Sequence, residues 1–186
     1  MVGLGRDKVM ASRVNLKMTG DDFKGIKNLK ENLAKLKSMQ AKVGVFGGST
    51  PEGISLPDLA FWHEYGTYNS PARSFIRMPI LTRKFRVVGD KEFMKAYVID
   101  AMKSGYVHMP LDYMAKNAEA LIQEAFATHG WGKWTPNAPI TIHGGIMRNK
   151  KSGKIFRVKG KGSDAPLIDK GYLRQAISSQ VGKKGD

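Results

Sequence analysis

The chain contains no cysteine. That excludes disulfide staples and thiolate metal centres. Acidic residues are scarce, with 16 Asp and Glu against 31 Lys and Arg, giving a net charge of +15. No apolar run approaches the length of a membrane-spanning helix. The N-terminal MVGLGRDKVMASR lacks the apolar core of a secretory signal, so the expected compartment is the cytoplasm of the producing cell. Histidine is equally sparse. His63-Glu64 matches the first half of a zinc-protease H-E-x-x-H helix, but Thr67 stands where the second histidine belongs. His108, His129 and His143 fall near expected chain breaks without ligand spacing, so no metal is expected. Gly160-Lys161-Gly162-Ser163 lacks the upstream glycine of a phosphate-binding loop. Gly44, Gly47 and Gly48 do not make a dinucleotide fingerprint, and no nucleophile elbow occurs. No cofactor and no catalytic reaction are expected.

What remains is a folded, basic chain. With 186 residues, 41% of them hydrophobic, it is long enough for one substantial core. Its 21 glycines point to many turns. A charge of this size implies an anionic partner, either nucleic acid or an acidic protein surface.

Periodicity divides the chain as follows. Residues 1–8 read as a flexible tail, 9–181 as a single α+β domain, and 182–186 as a frayed C-terminus. Val14, Leu16 and Met18 alternate as a half-buried strand. Asp21 or Asp22 can cap a helix whose apolar face is Phe23, Ile26, Leu29, Leu33, Leu36 and Met39. Its other face carries Lys24, Lys27, Lys30, Lys35 and Lys37. A strand is expected over 41–47, then a Gly- and Pro-rich loop, then a helix from Pro57 to about Tyr65. Gly66 is placed to end that helix in a left-handed conformation. Pro79 sits in, or kinks, a following helix, and Gly89-Asp90 breaks the chain. Helical spacing resumes through Phe93, Tyr97, Ile99 and Met102. Another helix starts at Pro110 and buries Leu111, Met114, Ala118, Leu121, Ile122, Ala125 and Phe126, with Gly130 ending it. Residues 139–161 suggest an extended hairpin, with strands over Thr141–Arg148 and Ile155–Val158 and a turn at Asn149–Gly153. Lys150, Lys151, Lys154, Arg157, Lys159 and Lys161 make it strongly basic. Ile177 and Val181 belong to a short helix or a terminal strand.

Leu59 to Arg77, LAFWHEYGTYNSPARSFIR, concentrates aromatic, acidic, glycine and arginine residues around a turn. Phe61, Trp62 and Tyr65 are bulky enough to favour burial, though Trp62 serves equally as core or interface. Glu64 and Arg73 flank the turn and suggest a carboxylate–guanidinium clasp. Phe75 reads as a core anchor. Arg73 or Arg77 can instead reach a neighbouring subunit.

Glu64-Tyr65-Gly66-Thr67, followed by Pro71-Ala72-Arg73-Ser74-Phe75-Ile76-Arg77, resembles the E-[FY]-G-T and P-A-R-x-F-[IL]-R signature of the tail-completion or head–tail joining proteins of tailed bacteriophages. Lys42-Val43-Gly44-Val45 is similar to the strand preceding that turn. Trp131 to Pro136 is similar to a W-x-P-L region of the virion morphogenesis branch, with Asn137 in place of the leucine. Pro166-Leu167-Ile168-Asp169-Lys170-Gly171-Tyr172-Leu173-Arg174 resembles that branch's P-L-I-D-T-G-x-L-R, with Lys170 replacing threonine. The likeness spans about 42 to 177.

This resemblance implies a structural virion protein of the neck. The implied fold is tail terminator-like, a small mixed or antiparallel sheet flanked by helices with an extended basic β-hairpin. The implied assembly is a closed homo-oligomeric ring, a hexamer by the same resemblance, that completes the tail and joins it to the DNA-filled head. Its implied partners are further copies, a head-completion or connector protein and the tail tube protein, with no membrane. The implied location is the virion, after assembly in the host cytoplasm. The structural motif residues are Trp62, Glu64, Tyr65, Gly66, Arg73, Phe75 and Arg77. Lys24, Lys27, Lys30 and the basic hairpin residues would meet DNA in the lumen or acidic partners. From the residues alone, a basic nucleic-acid-binding accessory protein is the competing expectation.

Overall fold

The computed structural model describes residues 20–167 and 170–185. The expected strand at Val14–Met18 and the expected tail 1–8 lie outside the described residues. So do the side chains of Asp21, Asp22 and Phe23.

The order of elements is α1 (Gly20–Lys37), β1 (Met39–Val45), α2 (Leu56–Tyr65), α3 (Arg77–Thr82), α4 (Lys84–Val88), α5 (Lys91–Ser104), α6 (Met109–Ala127), α7 (Pro139–His143), β2 (Gly144–Arg148), β3 (Ile155–Lys159), α8 (Tyr172–Gln175) and β4 (Ile177–Lys183). The fold is α+β, with two separate two-stranded antiparallel sheets, β1–β4 and the β2–β3 hairpin, where a small sheet and an extended hairpin were expected.

Helix α6 organises the molecule. Pro110 occupies its first turn, where a missing N–H costs nothing. Ala118, Leu121, Ile122, Ala125 and Phe126 recur at helical spacing and are buried, as that spacing predicts. The helix packs on β1 and β4 on one side and on α3, α4 and α5 on the other. The main core joins Ile122, Ala125 and Phe126 to Ala60, Phe75, Trp134, Leu173 and Ile177. Phe75 and Phe126 meet at 5.1 Å between ring centroids, and Trp134 stands edge-on to Phe126. A second cluster of Ala101, Met102 and Val107 holds Leu36 and Met39.

Helix α5 shows both end signals. Asp90 accepts hydrogen bonds from the N–H groups of Glu92 and Phe93 at 3.0 and 2.9 Å. Gly105 ends the helix in the left-handed conformation.

Four expectations are corrected. First, the apolar face expected on α1 is not buried as a whole. Ile26, Leu29 and Leu33 are 39%, 48% and 43% exposed. Among the described residues α1 reaches the body near its end, through Leu36 and through Asn32, whose Nδ2 donates to the Met102 carbonyl at 2.8 Å. Met39 has left the helix for β1. Second, Thr141–His143 is the end of helix α7, because Pro139 presets the first-turn dihedral; the strand starts at Gly144. Third, Gly66 has φ 81° and ψ 170°, a positive φ with extended ψ instead of the left-handed helical pair. Fourth, Gly182 and Lys183 do not fray: they pair with Gln40 and Met39, and the N–H of Lys184 donates to the Ser38 carbonyl at 2.8 Å.

Phe75→Ala would remove the centre of the main core. It is expected to destabilise the fold by about 3–5 kcal/mol, the range for deleting a buried aromatic ring, as measured by urea unfolding.

Candidate interaction surfaces

Helix α2 positions the aromatic turn. Ser55 caps it by accepting from the Asp58 N–H, and Pro57 fits its first turn. Gly66 closes it, donating to the Trp62 carbonyl at 2.8 Å. A Cβ at Gly66 would lie 2.8 Å from the Ala72 backbone nitrogen, so a side chain is excluded by contact as well as by φ. Thr67 and Ser70 then bridge each other through their backbones, and the Arg73 N–H donates to the His63 carbonyl.

Glu64 and Arg73 are both buried, but they do not form the expected pair. The Glu64 carboxylate faces the chain entering α3. It accepts from the N–H groups of Phe75, Ile76 and Arg77 at 2.8, 2.9 and 3.0 Å, and from the Ser74 hydroxyl at 2.5 Å. Ser74 Oγ in turn accepts from the Met78 N–H at 2.9 Å. Consecutive amides converging on one carboxylate satisfy it better than one distant guanidinium would. Arg77 adds a long ion pair, its Nε 3.9 Å from Glu64 Oε1.

The Arg73 guanidinium points the other way. Nε donates to the Thr135 carbonyl at 2.8 Å, and Nη2 to the Pro136 carbonyl and Asn137 Oδ1 at 3.1 and 3.4 Å. Asn137 Nδ2 is tied to the Asp164 carbonyl, and Trp134 Nε1 donates to the Ser74 carbonyl. Burial lowers the Arg73 pKa from its usual value; an arginine still keeps its charge at neutral pH. The turn is therefore stapled to 134–137, and Arg73 is unavailable to a neighbour. Ser74 and Trp134 are essential to this arrangement, yet their partners are 10 and 60 residues away, so local pattern gave no signal for them.

An open groove of about 1140 Å³ runs beside the staple, with His63, Arg73, Asn137, Thr141 and Tyr172 among its walls. His63 Nδ1 is buried and has no hydrogen-bond partner among the described residues. Burial, with the nearby Arg73 charge, holds its pKa below the ordinary histidine value of 6.5. Among the described residues no group of three His, Cys, Asp or Glu side chains can hold a metal. None of the described helices is long and apolar enough to cross a membrane.

The aromatic side chains of the turn are not the core residues their bulk suggested. Phe61, Trp62 and Tyr65 are 60%, 45% and 54% exposed, and Tyr68 is completely so. The rings of Phe61 and Tyr65 meet at a tilt of 41° with centroids 4.9 Å apart, and the exposed Arg77 lies 5.1 Å from the Tyr65 ring centre. Phe75 is the one aromatic of the motif that is fully buried. The basic residues fall elsewhere. Lys24, Lys27 and Lys30 are exposed along α1, and Lys150, Lys151, Lys154, Arg157 and Lys159 are exposed on the β2–β3 hairpin. Lys161 is turned inward, its ammonium donating to the Ala165 carbonyl.

The hairpin's tip is set by Asn149. Its Oδ1 accepts from the N–H groups of Lys151 and Ser152 at 2.9 and 3.1 Å, an Asx turn. At its base Gly144 and Gly160 touch backbone to backbone; a Cβ on Gly160 would fall 2.4 Å from the Gly144 nitrogen.

Glu64→Ala would strand three backbone donors. The expected loss is about 3–5 kcal/mol, typical for breaking a buried charged network, read by urea unfolding. Arg73→Lys cannot reproduce the fork across Thr135 and Pro136. It is expected to lower stability by about 1–3 kcal/mol.

His63 sets a pH dependence. Its folded-state pKa is depressed, so as pH falls through 6.5 the unfolded chain takes up a proton that the folded chain does not. Stability should fall on going from pH 7.5 to pH 5.5, and the fall should be smaller in His63→Gln. Unfolding of both proteins at the two pH values checks this.

Compared with models of protein families, with curated proteins and with solved structures, the chain matches none.

Proposed function

We propose that this chain is a structural protein of the neck of a tailed bacteriophage, a ring subunit that completes the tail and joins it to the head. The observation that carries this reading is an exposed aromatic face mounted on a rigid turn. Phe61, Trp62, Tyr65 and Tyr68 stand outward from a backbone fixed by Glu64 and Arg73. The residues of that turn are those of the tail-completion signature. A turn so heavily buttressed, with aromatics left in water, suits a surface built for contact.

A subunit with two different contact faces associates head-to-tail, and forms a ring where the rotation between copies closes. The neighbours in this reading are a head-completion or connector protein, the tail tube and further copies of the chain. No reaction and no cofactor belong to it.

The exposed lysines of α1 and the hairpin favour a second reading, a nucleic-acid-binding accessory protein. A ring with a basic lumen combines the two.

Light scattering on purified protein is expected to give a closed oligomer, with a hexamer the first expectation. Electron microscopy of particles made by the virus encoding the chain should place it between head and tail; its absence from assembled virions would overturn the proposal. If the basic hairpin faces DNA, affinity should fall on the order of 1,000-fold between 50 and 200 mM salt for about six phosphate contacts. Replacing Lys150, Lys151 and Lys154 with Glu should flatten that slope. No binding at low salt excludes the second reading.

A further inference from the structure

The β2–β3 hairpin is thinly supported. Two isolated strands are at best marginally stable in water, and the main contacts of this pair with other elements are with α7, near its base. Its register shows what each face presents. Gly145 pairs with Val158 and Met147 with Phe156, so these four share one face. That face begins against the body, where Ile140 of α7 lies 3.5 Å from the Cβ position of Gly145. Ile146 pairs with Arg157 and Arg148 with Ile155, which places these four on the other face. There Ile146 is 72% and Ile155 59% exposed, the highest values among the hairpin's large apolar residues. Two isoleucines and two arginines alternate on a checkerboard with nothing above them in the described chain.

The aromatic face of α2 has complementary chemistry. Tyr68 and Phe61 are flat and open, and the exposed Asp58 lies one helical turn before Phe61 and Trp62. Helix α2 itself contributes no lysine or arginine. This chain packs arginine onto aromatic rings twice, Arg77 over Tyr65 at the end of α2 itself and Arg83 over Trp131, the latter at 3.5 Å. Arginine over an aromatic ring is favourable, and more so when water is excluded.

We propose that the Ile146/Ile155 face of the hairpin docks on the α2 aromatic face of a second copy of this chain, with Arg157 or Arg148 paired to Asp58 of that copy. This rests on the ring reading and names its contact. The two faces differ, so the contact is head-to-tail and leaves one hairpin and one aromatic face free for the next copies.

The absence of cysteine makes the test direct. Tyr68→Cys and Ile146→Cys are surface substitutions on a thiol-free background. Co-expressed as separate chains and treated with a short bis-maleimide, they should cross-link to one another, while each alone should not. The double variant should give a ladder up to the full oligomer. Arg157→Glu and Asp58→Lys should each raise the concentration for half-association at least tenfold, and together they should restore it. Self-linking of Tyr68→Cys alone would overturn the head-to-tail contact. An oligomer that persists without any cross-link, indifferent to Arg157→Glu, would overturn the hairpin pairing and leave the ring reading standing. A parent protein that is monomeric at every concentration would overturn both.

Discussion

A single buried carboxylate fixes the geometry of the middle of this chain. Glu64 ends α2 and gathers the Ser74 hydroxyl and the amides of residues 75 to 77. It thereby sets where α3 begins and which way Phe75 enters the core. The neighbouring guanidinium of Arg73 performs the matching task on the other side, engaging carbonyls of the 135–137 loop. An acceptor placed among donors and a donor placed among acceptors hold one turn from both sides. Most of the bonds to each are with backbone, with the Ser74 hydroxyl and Asn137 Oδ1 completing them. The aromatic platform of α2 inherits its rigidity from this arrangement.

Much of the architecture was legible because it is written in local periodicity. Helix α6 declares itself through Ala118, Leu121, Ile122, Ala125 and Phe126, helix α5 through its Asp90 cap, and the hairpin turn through Asn149 and Gly153. What sequence could not supply was partnership across distance. Glu64 and Arg73 are the right residues for a clasp, and proximity made them look like one. Glu64 instead takes the amides of residues 75–77 a short way along the chain, and Arg73 takes the carbonyls of Thr135 and Pro136, which lie beyond α6. Bulk misled in the same way at Phe61 and Tyr65. An aromatic residue is apolar enough for a core and amphipathic enough for an interface, and period alone does not distinguish them. On α1, a regular stripe through Ile26, Leu29 and Leu33 predicted burial that the described chain provides only at Leu36.

The aromatic turn is poor in cations. Helix α2 contributes no lysine or arginine, while exposed lysines line α1 and the hairpin and stand on α5 and α6 as well. A second copy of so basic a chain would meet less like charge at α2 than over most of the surface.

The base of the hairpin has a mechanical consequence. Because Gly144 and Gly160 meet without side chains, the two strands leave the body from a single narrow pivot. The ladder beyond it is about 16 Å long at 3.3 Å per residue. A tilt of about 10° at the pivot would carry the tip roughly 3 Å, most of one residue's advance along a strand. Rotating by a few degrees would let one subunit shape serve both a flat and a slightly puckered assembly. The glycine pair then acts as the joint of a lever, and the span of the arm sets how much angular play an assembly could absorb.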